Sequence, residues 1–217
     1  MAKRNSFLMY FSFLITGCCF LLANLVGQDA DLPKEPFLRG KVLLERGKHA
    51  EAKTIFDTLL KAEPKRTELL YYRGVALLGL ANPDQAWADF TRTTELEPGY
   101  AMGLVGQAQV WVKRKQYDKA MNLLNDVLKS DGKLAAAYFQ KGIVLGWQKK
   151  TADAIQAFQK CLEMEPTHAQ AHYQIGLAYN QQKRKDMSIR HLEKFLALSP
   201  LAPEAEQVRS FLNNLRR

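Results

Sequence analysis

The sequence predicts an all-α solenoid of five helix–turn–helix units closed by a capping helix. Two observations carry this reading. Pro64, Pro98, Pro166 and Pro200 are separated by 34, 68 and 34 residues, and a fixed interval of that size marks a repeat architecture. Four further columns keep the same register: Gly40, Gly74, Ala108, Gly142 and Gly176; Ala52, Ala86, Ala120, Ala154 and Ser188; Phe56, Phe90, Leu124, Phe158 and Leu192; Leu43, Leu77, Trp111, Leu145 and Tyr179. Five units therefore follow one another without insertion or deletion, at 33–66, 67–100, 101–134, 135–168 and 169–200.

The fourth unit shows the logic of each element. Tyr138, Gly142 and Leu145 fall at i, i+4 and i+7, one stripe of an amphipathic helix. Ala154, Ile155, Phe158, Cys161 and Leu162 form a second stripe that ends at Pro166, where proline suits a turn just beyond a helix. Gln148-Lys149-Lys150-Thr151 between them is short and polar, as an antiparallel hairpin requires. The small column lets the two helices approach closely. A single hairpin cannot bury both apolar faces, so neighbours must stack in series. After Pro200, Val208, Phe211, Leu212 and Leu215 line one face and Glu206, Arg209, Asn213, Asn214 and Arg216 the other, so 201–217 reads as a terminal capping helix.

On these columns the unit resembles the tetratricopeptide repeat, over roughly four-fifths of the chain. The resemblance implies a right-handed superhelical solenoid that binds a protein or peptide in its concave groove. Gly132 stands where the third copy should carry proline. Arg39, Arg73, Gln107 and Lys141 replace the apolar residue before the small column, and only Ile175 conforms; their stems are expected to cover apolar surface with the heads in water. His172 replaces a large apolar residue in the last copy.

Lys3 and Arg4 precede Phe7 to Val26, twenty uncharged residues, and Gln28-Asp29-Ala30-Asp31 then turns polar. A basic start before an apolar stretch is the layout of an export signal, and twenty apolar residues are also enough to span a bilayer. Residues 1–27 thus read as a cleaved signal peptide, as a lipoprotein signal with Cys18 lipidated in Ile15-Thr16-Gly17-Cys18, or as a retained signal anchor, with 28–32 as linker. Each places the repeats outside the cytoplasm: membrane-anchored, periplasmic or secreted.

Little else points to chemistry. Besides Cys18 and Cys19 the only cysteine is Cys161, on a helix stripe, so no disulfide framework exists. His168 and His172 lie four apart, but no Cys, Asp or Glu in that turn completes a metal set, and they read as helix-start residues. The glycines follow the repeat period rather than forming a phosphate loop. Catalytic residues, a cofactor, a metal and a small-molecule substrate are not expected.

Two surfaces remain. The first helices should present Phe37, Tyr71, Val105, Phe139 and Tyr173 to the concave groove, with Val75, Ile143 and Leu177 one turn further on and Trp147 at the far edge. With Lys41 and Gln109 as the only polar residues of the second row, an extended or helical peptide with apolar anchors is the expected partner. Lys113, Arg114, Lys115, Lys149, Lys150, Lys183, Arg184 and Lys185 fall at the turns between paired helices, joined by Arg46 and Lys48. Stacking would align them along one edge, either as solvated helix ends or as a contact for an anionic membrane surface. Despite the formal charge of +9, nucleic acid is not expected for an exported protein. The function expected is a non-enzymatic scaffold for complex assembly in the cell envelope, the alternatives being a membrane-surface adaptor or an accessory subunit presenting substrate to an envelope enzyme.

Overall fold

A computed structural model describes residues 32–216. The leader reading of 1–27, including Cys18, lies outside the described residues. Within them there are eleven α-helices: α1 (Pro36–Glu45), α2 (His49–Ala62), α3 (Thr67–Gly79), α4 (Pro83–Leu96), α5 (Ala101–Lys113), α6 (Tyr117–Ser130), α7 (Ala135–Trp147), α8 (Thr151–Met164), α9 (Ala169–Gln181), α10 (Lys185–Leu198) and α11 (Ala205–Leu215). Consecutive helices pack in series, and α11 closes the array against α10. No described helix is long and apolar enough to cross a membrane.

The small and large columns lock each hairpin. A Cβ at Gly40, Gly74 or Gly142 would lie 2.6, 2.5 or 2.5 Å from the ring of Phe56, Phe90 or Phe158, and one at Gly176 would lie 2.7 Å from Leu192. Each glycine thus admits the large residue sixteen positions later, and those four side chains are almost fully buried. Cys161 is also buried, and burial pushes its thiol up to about 12, so it acts as a small core residue.

Arg39, in the first unit, donates to the Pro33 carbonyl at 3.0 Å, and the other three polar residues before the small column do not snorkel to water as expected. They reach back to the second helix of the preceding unit: Arg73 to Asp57 at 3.2 Å, Gln107 to Thr91 at 3.3 Å and Lys141 to Asn125 at 2.9 Å, each across sixteen residues. Arg73 also grips Asp89 with two bonds, 2.8 and 2.6 Å long. Buried carboxylate oxygens need such partners, so the column forms a ladder that fixes the register of one unit on the next. The Asp89 bonds hold the Arg73 guanidinium above its usual range. Ile175 is fully buried and apolar, so the ladder stops before the fifth unit.

The turns between paired helices share one backbone feature. Gly47, Ala81, Lys115, Lys149 and Lys183 have φ of 71, 57, 58, 62 and 59°. This left-handed region suits glycine and costs other residues roughly 1–2 kcal/mol, yet four of the five positions carry a side chain.

Candidate functional site

The residues expected to line the concave face divide into two groups. Contrary to expectation, Tyr71 and Val105 do not reach that face: they are 6 % and 0 % exposed. The Tyr71 ring is wedged among Tyr72, Phe90 and Tyr100, with centroids 5.2, 5.8 and 6.4 Å away, and Val105 belongs to a cluster with Leu124 and Val127. Both fill the core because the large side chains of the second helices draw them inward. Phe37, Phe139 and Tyr173 are half-buried for the same reason, lying 6.3, 5.7 and 5.1 Å from the rings of Phe56, Phe158 and Phe195. They form walls rather than projecting anchors.

Ile143, Trp147 and Leu177 do come together. They line a cleft of about 240 Å³ between α7 and α9, with Gly142, Gly146, Gln174 and Gln181 beside them and Phe158 at its base. Val75 is half-buried at the corresponding place on α3. The cleft has a sequence cause. Leu44, Leu78, Val112, Gly146 and Asn180 are 34 residues apart, one more column of the repeat. Leu78 is buried in a cluster that includes Val110 and Met102 of α5, and Val112 joins the cluster that ties α5 to α7. Gly146 supplies no such side chain, and a Cβ there would meet nothing within 4 Å. Accordingly α1 packs on α3, α3 on α5 and α5 on α7, whereas α7 and α9 touch at most at isolated points. A wider hollow of about 550 Å³ lies over Asn122, Asn125, Asp126, Leu128 and Lys129 of α6 alone. With no second element opposite, it is a depression rather than a site.

The histidines are arranged differently from the i, i+4 spacing. His168 caps α9: its Nδ1 accepts from the Ala171 backbone N–H at 3.2 Å, and its ring lies 4.6 Å from Phe139. His172 instead meets His191 of α10, Nδ1 to Nδ1 at 3.0 Å, with its Nε2 3.2 Å from the Pro166 carbonyl. A carbonyl only accepts, so Nε2 donates and neutral His172 accepts at Nδ1 from His191. Burial, then the neighbouring His172, pushes His191 down to about 4. Among the described residues no group of three or more His, Cys, Asp or Glu is placed to hold a metal.

A family model described as "Tetratricopeptide repeat" matches residues 37–86 and 139–203, more than half of the chain. The chain belongs to the tetratricopeptide repeat family. The third unit falls between the matched stretches, yet α5 and α6 form the same hairpin there. Among tetratricopeptide proteins of known structure, TTC0263 from Thermus thermophilus is 20 % identical over 84 % of this chain and 97 % of its own, with a TM-score of 0.69. A tetratricopeptide repeat protein from Parabacteroides merdae is also 20 % identical, over 84 % of this chain and 70 % of its own, with a TM-score of 0.70. At that identity the likeness concerns the fold. Protein bimA of Emericella nidulans is 29 % identical over 85 residues, 39 % of this chain and 10 % of that protein. The chain thus matches only about a tenth of that relative's length.

The cleft could have been found in the sequence from its column, where Gly146 interrupts a run of apolar residues. The burial of Tyr71 and Val105 had no comparable signal, since they stand in the same column as the half-exposed Phe139 and Tyr173.

Proposed function

We propose that this chain is a protein-binding scaffold, a role typical of tetratricopeptide repeats, and that its partner enters the cleft between α7 and α9 as an extended segment with apolar side chains. The carrying observation is Gly146: it removes the side chain that would occupy this space, and Ile143 and Leu177 face the opening. Buried apolar contacts in such a cleft make efficient anchors, while Gln174 and Gln181 at its margin offer amide donors and acceptors to a peptide backbone. The basic-then-apolar leader supports export, with the scaffold held at or released from a membrane for assembly work in the envelope. Described residues are consumed by hairpins and cap, which favours binding over catalysis.

Peptides selected from a random library on the full chain provide the test. Ile143→Ala and Leu177→Ala each weaken their binding by about 1–2 kcal/mol, with helicity by circular dichroism unchanged. Full affinity in both variants would contradict the placement of the partner.

A further inference from the structure

The turns joining the paired helices form one edge of the solenoid, and side chains of successive turns touch along it. Arg114 donates to Asp84 and Gln148 to Asp118, each across thirty residues. The Trp147 ring stacks on Tyr117 across the same interval, with centroids 6.1 Å apart and planes 12° from parallel. Trp87 and Trp111 meet edge to face at 4.9 Å, under the Arg114 guanidinium and the Lys119 ammonium. All three tryptophans of the chain therefore lie on this edge. Trp147 is 63 % exposed, and Leu80, at the turn where the cationic row is interrupted, is 38 % exposed.

Around these apolar groups Lys113, Lys115, Lys149 and Lys150 are exposed. Lys115 and Lys149 hold the left-handed positions of their turns, which the first two units give to Gly47 and Ala81. Asp84 is paired with Arg114, and Asp118, which keeps its charge beside the neutral Gln148 amide, is outnumbered by the four lysines.

We propose that this edge rests on a bilayer surface containing anionic phospholipid, with Trp147 and Leu80 entering the headgroup region and the lysines meeting phosphates. Indole rings settle at the headgroup level because one part is apolar and the N–H needs a partner. Each lysine near a negatively charged leaflet strengthens attachment roughly fivefold. Nucleic acid would use the lysines and could stack on Trp147, but Leu80 offers it no stacking face. The uncharged run Phe7 to Val26 ahead of the first unit is long enough to reach a bilayer. Only Trp147 is shared with the cleft.

Because the three tryptophans all sit here, intrinsic fluorescence reads this edge alone. The full chain is mixed with phosphatidylcholine vesicles carrying brominated acyl chains, with and without phosphatidylglycerol. The expected result is a blue shift and bromine quenching with phosphatidylglycerol, weakened by high salt, and far less with phosphatidylcholine alone. Lys149→Glu with Lys150→Glu lowers the anionic response by about tenfold or more while circular dichroism and peptide binding in the cleft stay unchanged. Attachment through the N-terminal run alone would leave the tryptophans unquenched on both vesicle types, and that result overturns the proposal. So does a fluorescence response to single-stranded RNA with none to anionic vesicles.

Discussion

Leu78 of α3 and Gly146 of α7 stand in one sequence column, yet the first is buried against the next unit and the second faces open space. The two junctions differ in a second way. Gln107 of the third unit reaches back to Thr91, while at the same position of the fifth unit Ile175 has no polar group to offer. Between the second and third units, then, first helices are packed together and a polar rung fixes their register. Between the fourth and fifth, α8 and α9 still pack but the α7 and α9 backbones touch at most at isolated points. A repeat array can therefore keep its stacking through the second helices and open a cleft by deleting one side chain from the first.

The largest expected effect belongs to the ladder. Arg73→Ala leaves Asp89, whose side chain is only 9 % exposed, without its cation, and should cost about 3 kcal/mol in urea unfolding. Lys141→Ala, which loses one bond to a neutral Asn125, should cost about 1 kcal/mol. Equal losses would show that the nearly buried Asp89 carboxylate does not depend on the Arg73 cation.

The glycines give the next contrast. Gly142→Leu drives a side chain into Phe158 and should cost about 1–3 kcal/mol. Gly146→Leu, four residues along the same helix, enters empty space and should leave thermal unfolding unchanged or raise stability by up to about 1 kcal/mol. A loss at Gly146 as large as that at Gly142 would mean that the cleft is closed.

Ser188 stands in the alanine column, fully buried, with no hydrogen-bond partner for its hydroxyl. Ser188→Ala should therefore stabilise the fifth unit by about 1 kcal/mol in the same unfolding assay.

A further contrast is one of pH. His191 is held neutral, pushed down to about 4 by burial and then by His172, with Lys194 adding to the repulsion on His172. Its native value lies below the unfolded value of about 6.5. The unfolded chain then binds more protons between those values, so the pair's contribution is complete above about pH 6.5 and is lost as pH falls toward 4. Protection of amide hydrogens in α9 and α10, taken relative to the intrinsic exchange rate at each pH, should fall over that window, and His191→Phe should flatten the dependence.

Much of the fold was legible in the sequence because its determinants are periodic. The proline, glycine and phenylalanine columns each report a contact made in nearly every unit, and the structure realises them as turns and hairpin locks. The left-handed turn column was equally periodic, but lysine at three of its five positions disguised a site for which Gly47 was the only direct signal. The candidate site was legible in part. Ile143, Trp147 and Leu177 line one cleft, while Tyr71 and Val105 turn inward, because which neighbour a half-apolar position faces depends on side chains from two other helices. The polar column before the glycines had the opposite problem: each partner lies on another helix sixteen residues away, outside any single amphipathic stripe.

If the space left at Gly146 receives the proposed partner, filling that space must weaken binding. Affinity of library-selected peptides for the full chain and for its Gly146→Leu variant, measured by calorimetry at matched helicity, tests it most directly. Weakening by about tenfold or more, with stability intact, is the predicted result, and unchanged affinity in a folded Gly146→Leu protein would contradict the account.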